Sequence, residues 1–125
     1  MESKLIFAKN CRIFLRDRNF DGLDIDWEFP GVYKNKFTEL LKVVRDEFES
    51  DENKSSKPRL LLTIAGAQSK ETIDESYNVT EIVKYLDFIN VMTYDYYVPW
   101  SSVTGFTGPL FSRYSDAAFN KEYSQ

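Results

Sequence analysis

Asp24, Asp26 and Glu28 stand two residues apart in Phe20-Asp21-Gly22-Leu23-Asp24-Ile25-Asp26-Trp27-Glu28-Phe29-Pro30. Alternate residues of a strand share a face. One face then carries Gly22, Asp24, Asp26 and Glu28, the other Asp21, Leu23, Ile25, Trp27 and Phe29. Three carboxylates in a row repel one another, and Asp disfavours strands. Stability alone would not place them there, so the acidic row is expected to point into a polar site while the mostly apolar face packs on helices. Residues two apart on a strand lie roughly 6–7 Å apart at Cα, which lets Asp26 reach both Asp24 and Glu28. Close carboxylates share protons, because neighbouring negative charge raises one pKa. A general acid working near neutral pH needs such a raised value. Glu28, the outermost, is the natural proton donor. Spacing alone leaves a second reading open, a strand end that binds Mg²⁺ or Ca²⁺ or merely solvates the rim.

Other chemistries are narrowed by composition. The chain has no histidine and a single cysteine. That removes Ser-His-Asp and Cys-His machinery and most zinc sites, leaving acid–base work to carboxylates, Tyr or Lys. Cys11 cannot form an internal disulfide and reads as a small half-buried helix residue. A net charge of −4 with no basic stripe argues against nucleic acid. No apolar run reaches the roughly 18 residues of a membrane helix. The first twenty residues are charged throughout, so no signal peptide is expected in this chain. Acidic groups beside a 16% aromatic content suit neutral, hydroxyl-rich ligands such as sugars.

The elements that position these residues follow from periodicity. Residues 3–17 read as a helix, with Leu5, Phe7, Ala8, Cys11, Phe14 and Leu15 on one broad side. A first strand is predicted over about 20–28, ended by Pro30-Gly31. Phe37, Leu40, Leu41, Val44 and Phe48 fall at amphipathic helical spacing. Residues 50–58 read as a solvated loop. Leu60-Leu61-Leu62-Thr63-Ile64-Ala65 has the pattern of a strand buried on both faces. Asn78 and Glu81 form a candidate capping box for a helix with Val79, Ile82, Val83 and Leu86 inward. A third strand is predicted over 88–94, followed by a Gly/Thr/Ser-rich loop to about 108 and a possible helix start near the end. This α-β-α-β-α-β order implies a parallel α/β sheet with helical crossovers. A (β/α)₈ TIM barrel takes about 250 residues, and three strands alone leave two bare edges. The fold expected is therefore the central portion of such a barrel, about three strands with flanking helices and no second domain.

Barrel sites form at the carboxyl ends of strands. Two of the three predicted strands end in chemistry there: Asp24 to Glu28, and Met92-Thr93-Tyr94-Asp95. The first stretch resembles the Asp-x-x-Asp-x-Asp-x-Glu signature of family 18 glycoside hydrolases, the chitinases and chitinase-like lectins. A second region, Leu60 to Thr63 through Tyr77 and then Tyr85 to Asp95, resembles the family's next two strands and their Met-x-Tyr-Asp motif. A third, weaker match is Val103-Thr104-Gly105 through Pro109-Leu110-Phe111. The resemblance is colinear and covers nearly the whole chain. It implies the middle of the barrel, from the third helix to just past the sixth strand, without the first three strands and the last two.

The resemblance also implies a substrate-assisted retaining mechanism, outside the usual two-carboxylate scheme. Glu28 would protonate the glycosidic oxygen while the substrate's own N-acetyl oxygen attacks the anomeric carbon, giving an oxazolinium ion. Asp26 would orient the acetamide nitrogen and stabilise its positive charge, with Asp24 buffering Asp26. Tyr94 and Asp95 would hold and polarise the acetamido group, and Glu28 would then serve as base for water. Met92, Trp100 and Phe29 would line the sugar site, Trp100 by stacking. Chitin and chitooligosaccharides follow as substrates, cleaved internally, with no cofactor, metal or obligate protein partner expected and a secreted full-length parent. Departures are Phe29 where active relatives often carry Tyr, Tyr97-Val98-Pro99 for His-Gly-Ser, and Phe106-Thr107-Gly108 for His-Asn-Ser. A non-catalytic lectin is the alternative, although such relatives typically lose the residue at the Glu28 position; an inactive truncated remnant is another. Asn53-Lys54-Ser55 and Asn78-Val79-Thr80 are glycosylation sequons that agree with a secreted parent.

Overall fold

A computed structural model describes residues 2–55 and 57–111. The possible helix start near the end of the chain lies outside them. The elements are α1 (Glu2–Asp17), β1 (Gly22–Ile25), a 3₁₀ turn (Gly31–Tyr33), α2 (Lys34–Ser55), β2 (Leu61–Gly66), α3 (Lys70–Ser76), α4 (Val79–Ile82) and β3 (Phe88–Val91). The three strands are parallel in the order β1-β2-β3. Both β1 and β3 are therefore edges, as the α-β alternation implies.

One face of the sheet packs on helices. Leu62 and Ile64 of β2 join Ala8 and Leu15 of α1 and Phe37, Leu41, Val44 and Phe48 of α2 in one buried cluster, with Leu23 and Ile25 packed against it. Burying such side chains contributes about 1.5–3 kcal/mol each. On the opposite face, register sets Gly22 beside Leu61 and Asp24 beside Thr63, with Phe88 beside Thr63 and Asn90 beside Ala65. Leu61 is 40% and Phe88 53% exposed. On β2 only Leu61 is exposed; Leu62, Thr63, Ile64 and Gly66 are buried and Ala65 is half-buried, so burial on both faces holds for the strand beyond its first residue.

Gly22 is required by strand spacing. A Cβ there would lie 2.3 Å from the Leu61 carbonyl oxygen, so any side chain would push β1 off β2. Gly22→Ala is expected to cost about 1–3 kcal/mol, read as a lower urea midpoint with an unchanged m-value.

Several boundaries differ from expectation. β1 ends at Ile25, not 28. Asp26 and Glu28 gain nothing from a ladder that would align their charges, Pro30 cannot donate to one, and Trp27 is drawn edge-on to Phe37 at 5.7 Å. β3 ends at Val91, not 94, because Thr93 N–H bonds Val91 O and Tyr94 N–H bonds Met92 O, each at 2.9 Å. These i to i+2 closures turn the chain out of the sheet. The predicted loop at 50–58 is helix as far as Ser55. Asp51 is buried there, accepting from Arg16 Nε at 2.8 Å and Arg12 Nη1 at 3.4 Å, so ion pairs to α1 extend α2.

The Asn78–Glu81 capping box is not formed. Asn78 is the N-cap residue of α4 without a side-chain cap bond; its Oδ1 instead accepts from the Thr80 hydroxyl at 3.1 Å, and Glu81 pairs with Lys84. Val79 and Val83 stay exposed while Ile82 is buried. A helix that periodicity did not predict, α3, is capped by Ser69, whose Oγ accepts from Thr72 N–H at 3.2 Å.

Candidate active site

Asp24 sits on the open face of β1 as the focus of a three-strand contact. Thr63 Oγ1 of β2 donates to its Oδ1, and Asn90 Nδ2 of β3 donates to the same oxygen at 3.0 Å. Two neutral donors thus converge on one oxygen of this side chain and fix its orientation. Neither Thr63 nor Asn90 was singled out from sequence, yet each is a polar residue inside an apolar strand, and a polar group in such a place calls for a partner, above all the buried Thr63. That rule would have found them.

Asp26, Trp27, Glu28 and Phe29 leave the ladder, with a bend at Glu28 and a cis Glu28–Phe29 peptide. Past the strand Trp27 stacks near Tyr33 and meets Phe37, while Asp26 and Glu28 are exposed. Beyond them Pro30 is buried, and Gly31 N–H, at a φ of 51°, donates to the buried Ser76 Oγ at 3.3 Å. The acidic segment is thereby pinned at both ends, by the ladder and by the end of α3. Among the described residues no group of three carboxylate, His or Cys side chains is arranged to hold a metal ion.

Tyr77, the residue after α3, is a second neighbour that sequence reasoning passed over. Its ring packs on Phe37 at 6.0 Å, and its hydroxyl accepts from Ala67 N–H at 3.4 Å. Burial pushes the hydroxyl above the usual tyrosine range; the Ala67 bond opposes this, and the charges of Glu28 and Asp26 add to it. The phenol is thus held neutral beside the acids. The stability it contributes is fully present below the unfolded tyrosine pKa of about 10 and is lost as pH rises through the raised folded value. Tyr77→Phe is expected to lose less stability than the parent between about pH 9 and about pH 11 in urea melts; parallel curves would contradict this.

The remaining candidates lie past β3. Met92 is buried, its N–H bonded to Gly66 O at 2.9 Å. Tyr94 is half exposed, and Gln68 Nε2 donates to its carbonyl at 3.5 Å. Asp95 takes a left-handed backbone, φ 64°. Trp100 is 83% exposed, which suits a stacking surface and not a buried loop anchor. Phe29 is about one-third exposed. The strands run parallel, so the segments after β1 and β3 leave the same end of the sheet, separated by β2. Cys11 is half-buried in α1, as expected, and burial raises its thiol pKa. Among the described residues no helix is long and apolar enough to cross a membrane.

Comparison with known proteins agrees with this geometry. Chitotriosidase-1 of Mus musculus is 40% identical over 117 residues, which take in 89% of this chain and 25% of that protein. Among solved structures, the immunomodulatory active chitinase from Trichuris suis superposes with a TM-score of 0.91 at 34% identity, over 98% of this chain and 34% of its own. Human YKL-39, described as a pseudo-chitinase with retained chitooligosaccharide binding, superposes with a TM-score of 0.88 at 36% identity, over 98% of this chain and 35% of its own. The chain thus spans between a quarter and about a third of the length of these relatives, and its three parallel strands with flanking helices are part of a (β/α)₈ barrel. The family model for glycosyl hydrolases family 18 matches residues 1–125, and the chain belongs to that family.

Proposed function

We propose that this chain is the middle of a chitin-hydrolysing barrel, from its third helix to just past its sixth strand, and supplies the proton donor and the acetamide-holding residues. The observation that carries this reading is the placement of two chemical segments at one end of a parallel sheet: Asp26 to Glu28 after β1, and Met92 to Asp95 after β3. In this reading Glu28 protonates the leaving oxygen of a β-1,4-linked N-acetylglucosamine polymer within the chain, without cofactor. The substrate's acetamide oxygen forms the new bond to the anomeric carbon, and water later breaks it with Glu28 as base. Asp26 stabilises the charge that develops on the acetamide nitrogen, an electrostatic task, while Asp24, tied to Thr63 and Asn90, keeps Asp26 oriented. Tyr94 and Asp95 hold the acetamide, and Met92, Phe29 and Trp100 form the sugar-contacting surface. A secreted parent belongs to the same reading, with Asn53 exposed in the last turn of α2.

A second reading, sugar binding without turnover, is favoured by the likeness to YKL-39. Retention of Glu28 speaks for the first. A reducing-end progress curve on chitotetraose, with the chain in a complete catalytic domain, separates them. Linear product release supports hydrolysis. A flat curve together with calorimetric binding of the same sugar supports the lectin.

A further inference from the structure

We infer that Thr107, in the loop after β3, is a positioning residue for Asp95. This rests on the reading of Asp95 as an acetamide-holding group. Asp95 has a φ of 64°, a conformation uncommon outside glycine that persists where surrounding contacts over-determine it. Those contacts converge on one residue. Asp95 N–H donates to Thr107 Oγ1 at 3.2 Å, and the Thr107 hydroxyl donates to Asp95 Oδ1 at 3.4 Å. Tyr96 N–H donates to the Thr107 carbonyl at 3.0 Å. A single hydroxyl therefore accepts from the backbone of Asp95 and donates to its carboxylate, fixing the turn and the side-chain rotamer together.

The next residue makes this approach possible. A Cβ on Gly108 would lie 2.8 Å from the Thr93 carbonyl oxygen, so a side chain there would have to shift the returning loop away from the Thr93–Tyr94 backbone. The Thr107–Asp95 contact is twelve residues long in sequence and lies outside the Met-x-Tyr-Asp stretch.

The test is a double-mutant cycle in a complete catalytic domain carrying this chain, with Thr107→Val, Asp95→Asn, their combination and Thr107→Ser. Valine keeps the branched shape and removes the hydroxyl; serine keeps the hydroxyl. Thr107→Val is expected to lower kcat/KM on chitotetraose about 10- to 100-fold, mostly in kcat. Thr107→Ser should stay near the parent, and the double variant should be no worse than Asp95→Asn alone, because both changes remove one unit. If Asp95→Asn lowers kcat/KM but Thr107→Val does not, or if their losses multiply, the positioning role is wrong while the reading of Asp95 stands. If Asp95→Asn itself leaves kcat/KM unchanged, both fall. Should Thr107→Val fold poorly, Thr107→Ser at parental stability decides: lost kcat overturns the proposal, retained kcat supports it.

Discussion

Replacing Glu28 with Gln in a complete catalytic domain is expected to lower turnover of chitooligosaccharides by about 10²–10⁴-fold, the usual share of general acid–base catalysis, while sugar binding persists. The exposed carboxyl of Glu28 stands on a segment that has left the sheet, and its position is fixed by neighbours on both sides. Trp27 is anchored on Phe37, and Gly31 is bonded to Ser76. Glutamine preserves shape and hydrogen bonding but has no transferable proton. A loss confined to kcat, with calorimetric affinity kept within a few-fold, is the expected pattern. Loss of binding with kcat preserved would instead assign Glu28 to sugar contact.

Replacing Asp87 with Ala is expected to be the most destabilising single change, by about 3–5 kcal/mol. Arg45 is buried in α2, with Nε bonded to Tyr85 O at 2.6 Å and Nη2 to Asp87 Oδ2 at 2.8 Å. Arg59 Nη2 meets Asp87 Oδ1 at 2.6 Å, and Leu62 N–H of β2 donates to Asp87 Oδ2 at 2.8 Å. One carboxylate thus joins two guanidinium groups to the start of the central strand. Among the described residues Arg45 Nη1 has no partner, so removing Asp87 would leave the buried cation held chiefly by a backbone carbonyl. Replacing an ion pair with packed apolar groups is often neutral, but removing one partner strands the other. Urea denaturation of the variant measures the loss; a change under about 1 kcal/mol would mean that the cluster behaves like a surface pair.

The acidic row was legible because strand alternation is a local property. Leu23 and Ile25 pack on the helices and Trp27 meets Phe37, while Asp24, Asp26 and Glu28 are exposed, even though the ladder stops at Ile25. The helix around Phe37, Leu41, Val44 and Phe48 was legible for the same reason. What was not legible depends on partners distant in sequence. Residues 51–55 look like a loop by composition, but Arg12 and Arg16, thirty-five or more positions away, hold Asp51 in the helix. The ends of β1 and β3 are set by Phe37 and by turn closures at Thr93 and Tyr94. Thr63, Asn90, Tyr77 and Thr107 lie within the resembling stretches, but nothing in their spacing gave them a role. They matter through Asp24, the Glu28 segment and Asp95, and only the register of three strands and the return of the last loop bring them there.

The central claim is that the substrate's own acetamide supplies the nucleophile, with the proton coming from Glu28. The most direct measurement compares, in one reducing-end assay on the complete domain, chitotetraose with its fully de-N-acetylated counterpart. The account requires cleavage of the acetylated sugar and no detectable cleavage of the other at equal concentration. Comparable cleavage of both would contradict it, since a protein carboxylate or activated water would then be doing what is here assigned to the substrate.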